Sequence, residues 1–214
     1  MSSPLVLQLN QKPVLVVGGG SVAERKVDYL LKQNAKVTLI SPTLTDKLQT
    51  LDNDISVKQS SLTVEDVSVE FCSRLSVNWR SFFLIVVATD SFRTNEQLSR
   101  NLFQFVSLIN IVDNPALSSF YFPAVLDRGA LKISVSTSGK SPILAKKIRD
   151  YLFSTFGPEY DAYLDELYYV RSELLKIEPN PAKRKQMLEE RTAFPIPEGT
   201  QSPPIPTKNY KKAK

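Results

Sequence analysis

The chain is 214 residues long and 42% hydrophobic, with 27 lysines and arginines against 22 acids, no histidine and one cysteine. That length and apolar share allow one sizeable core with a smaller appended domain. The lack of imidazole excludes histidine catalysis and histidine metal ligation, and Cys72 alone can form neither an internal disulfide nor a thiolate site. Any metal would need oxygen ligands, and no metal-binding residue is assigned. Acid–base work near neutral pH falls to a carboxylate, a lysine, a tyrosine or a cofactor.

The opening "MSSPLVLQLNQK" has no basic stretch followed by an apolar one, and no run is apolar enough to span a bilayer, so a cytoplasmic protein without a membrane partner is expected. "PVLVVG" then reads as a short buried parallel strand, and "SVAERKVDYLLKQNA" as a helix with Ala23, Val27, Leu30 and Leu31 at helical spacing. The strand "KVTLIS" follows, then an irregular stretch with possible short elements to about residue 80. Next come the strand "FFLIVVATD", a helix over "TNEQLSRNLFQF" and the strand "LINIVD". Strands alternating with helices predict an α/β fold with a Rossmann-like, mostly parallel sheet and right-handed crossovers.

The turn between the first strand and helix is the most informative feature. In "GGGSVA", Gly18, Gly20 and Ala23 fit G-x-G-x-x-A. The first glycine makes the tight turn, the second lets a pyrophosphate approach the backbone, and the alanine allows close helix–strand packing. Helix N-terminal amides then meet the negative charge. Following a strand and opening a helix, the motif favours a dinucleotide over a bare structural turn, with NAD the expected cofactor. Candidate cofactor contacts are Gly18, Gly19, Gly20, Ser21 and Val22 at the turn, Ser41, Pro42 and Thr43 after the second strand, and Ala88 and Thr89 after "FFLIVV". The acid usual at the second strand's end, roughly 20 residues on, is missing; Ser41 or Thr43 hydroxyls or backbone groups could replace it, and NAD and NADP are not distinguished.

Asp113 closes a strand at the carboxyl edge of the sheet, where ligands of open α/β folds collect, and is the best-placed candidate base; a loop-capping aspartate before Asn114-Pro115 is the alternative. "SSFYFPAVLDRGALKISVSTSG" reads as two antiparallel strands, roughly 119–125 and 131–137, joined at "DRG". "KSPILAKKIRDYLFSTF" is a helix capped by Ser141 with Pro142 first, and Leu144, Ile148, Tyr151, Leu152 and Thr155 share one face. The loop of Thr137, Ser138, Gly139 and Lys140 ending on that helix suits carboxylates, or is merely a capped helix beside solvated lysines. The basic cluster Arg128, Lys132, Lys140, Lys146, Lys147 and Arg149 contains no acid between its ends. "PEYDAYLDELYYVRSELLKIE" and "NPAKRKQMLEERT" are helical, with Tyr160, Tyr163, Leu164, Leu167, Tyr168, Leu174 and Leu175 as core or interface. In the proline- and lysine-rich tail from 195, Lys208, Lys211, Lys212 and Lys214 against Glu198 account for +3 of the net +5, which points to a disordered end and argues against a nucleic-acid partner.

"VLVVGGGSVAERK", "VVATDS" and "NIVDNPALSSFYFPAVLDRGALKISVSTSGKSPILAKKIRDYL", in that order and covering roughly residues 5 to 156, resemble the precorrin-2 dehydrogenases, including the corresponding part of fused siroheme synthases. The resemblance implies NAD-dependent oxidation of precorrin-2 to sirohydrochlorin in a homodimer held by the central strands. It ties Asp113 to dehydrogenation and gives the basic cluster a purpose toward a polycarboxylate tetrapyrrole. Ser118, Thr137, Ser138, Lys140, Ser141 and Arg149 are then candidate substrate contacts. Thr137 falls where some fused members carry a phosphorylatable serine. The expected organisation is a NAD-binding domain over 1–114, a dimerisation and substrate region over 115–156, a helical C-terminal domain over 157–194, and a basic tail over 195–214. A dehydrogenase that also inserts iron, and a non-enzymatic NAD-sensing module, are the alternatives. A sensor would need a DNA-binding or gating domain, and the terminal helices carry no helix-turn-helix signal.

Overall fold

The computed structural model describes residues 3–51, 54–68, 71–112 and 114–196. These fall into two compact units that divide between Phe122 and Pro123.

The first unit carries strands β1 (Pro13–Val17), β2 (Lys36–Ile40), β3 (Ser56–Lys58), β4 (Phe71–Cys72), β5 (Val77–Asn78), β6 (Leu84–Val87) and β7 (Ile109–Ile111). Its helices are α1 (Ser21–Lys32), α2 (Asp46–Gln49), α3 (Val64–Val67) and α4 (Phe92–Leu102). The main sheet runs β3-β2-β1-β6-β7 and every pairing in it is parallel, while β4 and β5 form a small antiparallel pair. Strand order reverses between β1 and β6, which places a crevice at their carboxyl ends. Both faces are covered, as unbroken apolar strands require. Leu15, Val17, Ile40, Ile85, Val87, Ile109 and Ile111 pack with Leu98 and Leu102 of α4 and with Trp79, whereas Val14, Val16, Val37, Leu39, Leu84 and Val86 pack with Ala23, Val27 and Leu30 of α1 and Leu48 of α2.

The second unit holds β8 (Ala124–Arg128), β9 (Leu131–Val135), α5 (Pro142–Thr155), α6 (Glu159–Ile177) and α7 (Pro181–Arg191). The strands are an antiparallel pair with Arg128 opposite Leu131, and Gly129 takes φ +62° in the turn. The expected strand over 119–125 therefore shifts to Ala124–Arg128. Residues 118–120 instead serve β7: Ser119 Oγ accepts from the Ile109 N–H at 2.8 Å, Ser118 Oγ from the Ile111 N–H at 2.9 Å, and Asn110 Nδ2 donates to the Phe120 carbonyl at 3.0 Å. This stretch closes the open edge of the sheet, and Phe122 packs edge-on against Tyr29 of α1. Helix α5 starts as expected, with Ser141 Oγ accepting from the Leu144 N–H and Pro142 in its first turn. Of α6, Tyr160 and Leu174 are buried, while Tyr168 and Leu175 are exposed. The tail beyond residue 196 lies outside the described residues.

Candidate active site

The glycine turn opens on the carboxyl edge of β1. Gly18 has φ +111°, and a Cβ there would stand 2.2 Å from the Ala88 carbonyl oxygen. Only glycine fits that turn. A Cβ on Gly19 would stand 2.1 Å from the Thr43 carbonyl oxygen, yet one on Gly20 would meet nothing within 4 Å. Gly20 is the N-cap of α1 and offers no side-chain cap, so the first amides of the helix, from Ser21 and Val22, keep donors for a ligand. Two tightly built glycines and one facing open space form a cradle for an anion that approaches at Gly20.

The loop after β2 braces this turn. The Gly18 N–H donates to the Ile40 carbonyl at 2.9 Å and the Thr45 N–H to the Gly19 carbonyl at 3.0 Å. Thr45 Oγ1 also donates to Glu24 Oε2 at 2.7 Å. Ser41 is buried and its hydroxyl donates to the Thr43 carbonyl at 2.7 Å, so its remaining capacity toward a ribose is as an acceptor. Pro42 and Thr43 are exposed beside it.

On the other side of the turn stand Ala88 and Thr89, after β6. The Ala88 N–H donates to the Val17 carbonyl at 2.7 Å. Thr89 is bound by a residue the sequence reading did not single out, Asn95 of α4. Its Oδ1 accepts from Thr89 Oγ1 at 2.5 Å and from the Thr89 N–H at 3.3 Å, and its Nδ2 donates to the Thr89 carbonyl at 3.0 Å. A polar residue on the buried stripe of Leu98, Ser99 and Leu102 was the available signal.

Asp113 lies outside the described residues. Its neighbours continue the sheet edge: the Val112 N–H donates to the Val87 carbonyl at 3.0 Å, and the Asn114 N–H to the Ile111 carbonyl at 3.2 Å. Ser118 Oγ donates to the Asn114 carbonyl at 2.8 Å, so that hydroxyl is committed to the loop joining Ile111 to Asn114.

In the second unit, Thr137, Ser138, Lys140 and Ser141 come together in one turn. Ser138 and Gly139 have φ +53° and +78°, Thr137 Oγ1 accepts from the Ser141 N–H at 3.0 Å, and the Lys140 N–H donates to the Thr137 carbonyl at 3.0 Å. Arg149 sits apart from the turn's hydrogen bonds and pairs with Asp150. The basic cluster divides by role. Arg128 donates to the carbonyls of Phe156 at 2.9 Å and Phe153 at 3.2 Å at the end of α5, and Lys132 pairs with Asp127 at 2.5 Å. Lys140, Lys146 and Lys147 are exposed and make no ion pair among the described residues.

A family described as "Putative NAD(P)-binding" matches residues 5–124, and one described as "Sirohaem biosynthesis protein central" matches residues 128–152. The chain belongs to the family described as putative NAD(P)-binding, whose match spans more than half of it. It is 33% identical over 171 residues to "Siroheme synthase 1" of Klebsiella pneumoniae, covering 80% of this chain and 34% of that one. It is 38% identical over 149 residues to "Siroheme synthase" of Mannheimia succiniciproducens, covering 70% of this chain and 29% of that one. The chain thus spans about a third of the length of the curated relatives it matches. A solved structure, "SirC, precorrin-2 dehydrogenase", superposes with a TM-score of 0.71 at 26% identity, covering 90% of each chain. The NAD(P)-binding match supports a nicotinamide cofactor, and the glycine turn fits such a group: a Cβ-free Gly20 facing open space, ahead of helix amides with no side-chain cap. Among the described residues no helix is long and apolar enough to cross a membrane.

Proposed function

We propose that this chain is a cytoplasmic, NAD-dependent precorrin-2 dehydrogenase that forms sirohydrochlorin. The observation that carries the reading is the glycine turn at the sheet's switch point, suited to a dinucleotide, in a chain similar over 90% of its length to a solved precorrin-2 dehydrogenase. The reaction takes two hydrogens from the reduced macrocycle, one as hydride and one as a proton, and yields NADH. When bound, the cofactor supplies the hydride acceptor; the protein's share is to bind, orient and move the proton.

Gly18 and Gly19 hold the turn against Ala88 and Thr43, and the amides of Ser21 and Val22 face the pyrophosphate. Ser41 and Thr43 serve the adenosine ribose, and Ala88 and Thr89 the nicotinamide side. Asp113, next in the chain after Val112 at the carboxyl edge, takes up the proton as conjugation extends; with no histidine in the chain, a carboxylate is the group suited to that step. Thr137, Ser138, Lys140 and Ser141 hold substrate carboxylates by charge-assisted bonds, with Lys146, Lys147 and Arg149 adding to the positive field. The active species is a homodimer, supported by apolar side chains of α5 that stand uncovered.

The test is direct. Purified chain is given precorrin-2 and NAD, and absorbance is followed for NADH and for the sirohydrochlorin spectrum. One NADH per sirohydrochlorin is expected, and Asp113→Asn is expected to lower the rate by about 100-fold or more while NAD binding stays. Unchanged absorbance with wild-type chain overturns the assignment.

A further inference from the structure

We propose that Asn95 is a positioning residue for the nicotinamide half of the cofactor, acting through Thr89. The inference rests on the dinucleotide reading of the glycine turn.

A buried amide is costly unless its donors and acceptor are used, and an apolar side chain would tie helix to strand at lower cost. Asn95 stands on the buried stripe of α4 with Leu98, Ser99 and Leu102 and is itself only 6% exposed. Its three side-chain hydrogen bonds all go to one residue. Its Oδ1 accepts from the Thr89 N–H and from Thr89 Oγ1, and its Nδ2 donates to the Thr89 carbonyl. The amide therefore fixes both peptide groups of Thr89 and its rotamer, which apolar packing would not.

That constraint is passed to the crevice. Ala88, one residue earlier, is held by its N–H to Val17, and its carbonyl stands where a Gly18 Cβ would be. Ala88 and Thr89 thus form the β6-side wall of the glycine turn, and Asn95 anchors the far end of that wall to a rigid helix. The helix is itself set by Ser91, whose Oγ accepts from the Thr94 N–H at 3.2 Å and whose carbonyl accepts from the Asn95 N–H at 2.9 Å. In a sheet of this order the dinucleotide straddles the switch point, with adenosine toward β2 and nicotinamide toward β6. Loosening Thr89 should therefore weaken the nicotinamide half and spare the adenosine half. A residue that only stabilised the fold would affect both alike.

The experiment titrates the full chain with NAD and, separately, with AMP, by calorimetry. Asn95→Ala is expected to raise the Kd for NAD about tenfold, the scale of losing buried hydrogen bonds, and to leave the Kd for AMP within about twofold. Asn95→Ser keeps a small uncharged polar group but is too short to span both Thr89 peptide groups, so it should fall between, and it serves if the alanine variant does not fold. Equal weakening of NAD and AMP, or no change in either, overturns the proposal. Wild-type chain that binds neither ligand overturns the dinucleotide reading and the proposal with it; wild-type chain that binds both, with variants that do not separate them, overturns the proposal alone.

Discussion

The two units are built on opposite principles. In the first, β1 and β6 are buried along nearly their whole length, two apolar layers sandwich the sheet, and the residues around the glycine turn are fixed by backbone hydrogen bonds to neighbouring strands and loop and by the Asn95 side chain of α4. In the second, the buried apolar side chains among the described residues are Leu126, Ala145, Tyr160 and Leu174, and α5 leaves Leu144 50%, Ile148 38% and Tyr151 71% exposed. A sheet covered on both faces holds a ligand cradle rigid without help. A strand pair with uncovered helices needs a further surface to complete its core, so the proposed cofactor binding and the proposed assembly can be tested separately, one on each unit.

The strongest test of that separation is at Gly20. Its φ of −82° is ordinary for any residue, a Cβ there meets nothing, and aspartate is a preferred N-cap. Gly20→Asp should therefore fold as well as wild type while its carboxylate takes the anion position, raising the Kd for NAD by about 100-fold or more. Calorimetry beside a thermal melt reads both. Gly18→Ala is the converse, because the positive φ and the Ala88 carbonyl oppose a side chain; it should lose roughly 3 kcal/mol of stability in urea unfolding.

Assembly is tested on the other unit. Leu144→Glu with Tyr151→Glu places charge on the uncovered face of α5, and light scattering should show the dimer dissociating with Kd raised on the order of 100-fold. Melting of the wild type should then depend on protein concentration and that of the variant should not. Leu15→Ala, in the closed core of the first unit, should instead cost about 3 kcal/mol at every concentration. A double-glutamate variant that stays dimeric removes α5 from the interface.

The first unit was also the more legible in sequence, for the same physical reason. Its strands are continuous apolar runs, and its glycine turn is dictated by local backbone geometry, so β1, α1, β2, β6, α4 and β7 follow from neighbouring residues. What escaped depends on distant partners. The "SSFYF" stretch has strand-like residues, yet its serine hydroxyls and a phenylalanine carbonyl bind β7 about ten positions earlier. Arg128 reads as one of a basic cluster until α5 brings the carbonyls of Phe153 and Phe156 to it. Asn95 carries no local signature beyond a polar side chain on an apolar helical stripe. The role of Asp113 was read from the end of a strand and from family resemblance.

A smaller effect separates the lysines of the second unit. Lys140 and Lys146 make no ion pair among the described residues, whereas Arg149 is held by Asp150. Neutralising Lys140 and Lys146 to glutamine should raise the KM for the tetrapyrrole about three- to tenfold at low salt and less at high salt, with the Kd for NAD unchanged. Arg149→Gln should do less than either. An unaltered KM returns the lysines to a solvated face.

The smallest effect is electrostatic and again contrasts the units. Asp66, buried in the first unit, accepts from the Thr63 N–H and Thr63 Oγ1 at 2.9 Å and from Arg74 Nε at 3.0 Å, and the Arg74 guanidinium beside it holds its carboxyl well below the usual carboxylate range. A carboxyl with its pKa lowered on folding stabilises above its unfolded value, near 3.8, and that contribution is lost as the pH falls through the folded value. Wild type should exceed Asp66→Asn by on the order of 1 kcal/mol at pH 7, discounted for the half-exposed arginine, and the gap should close progressively as the pH drops below 4. Lys176 in the second unit has its pKa raised, chiefly by the hydrogen bond to Glu173, but both side chains are largely in solvent. Solvent screening leaves such a pair little to contribute, so Lys176→Ala should leave the urea midpoint unchanged from pH 4 to 9. A gap at Asp66 that persists undiminished below pH 3 would mean that its hydrogen bonds to Thr63, rather than its charge against Arg74, account for its contribution.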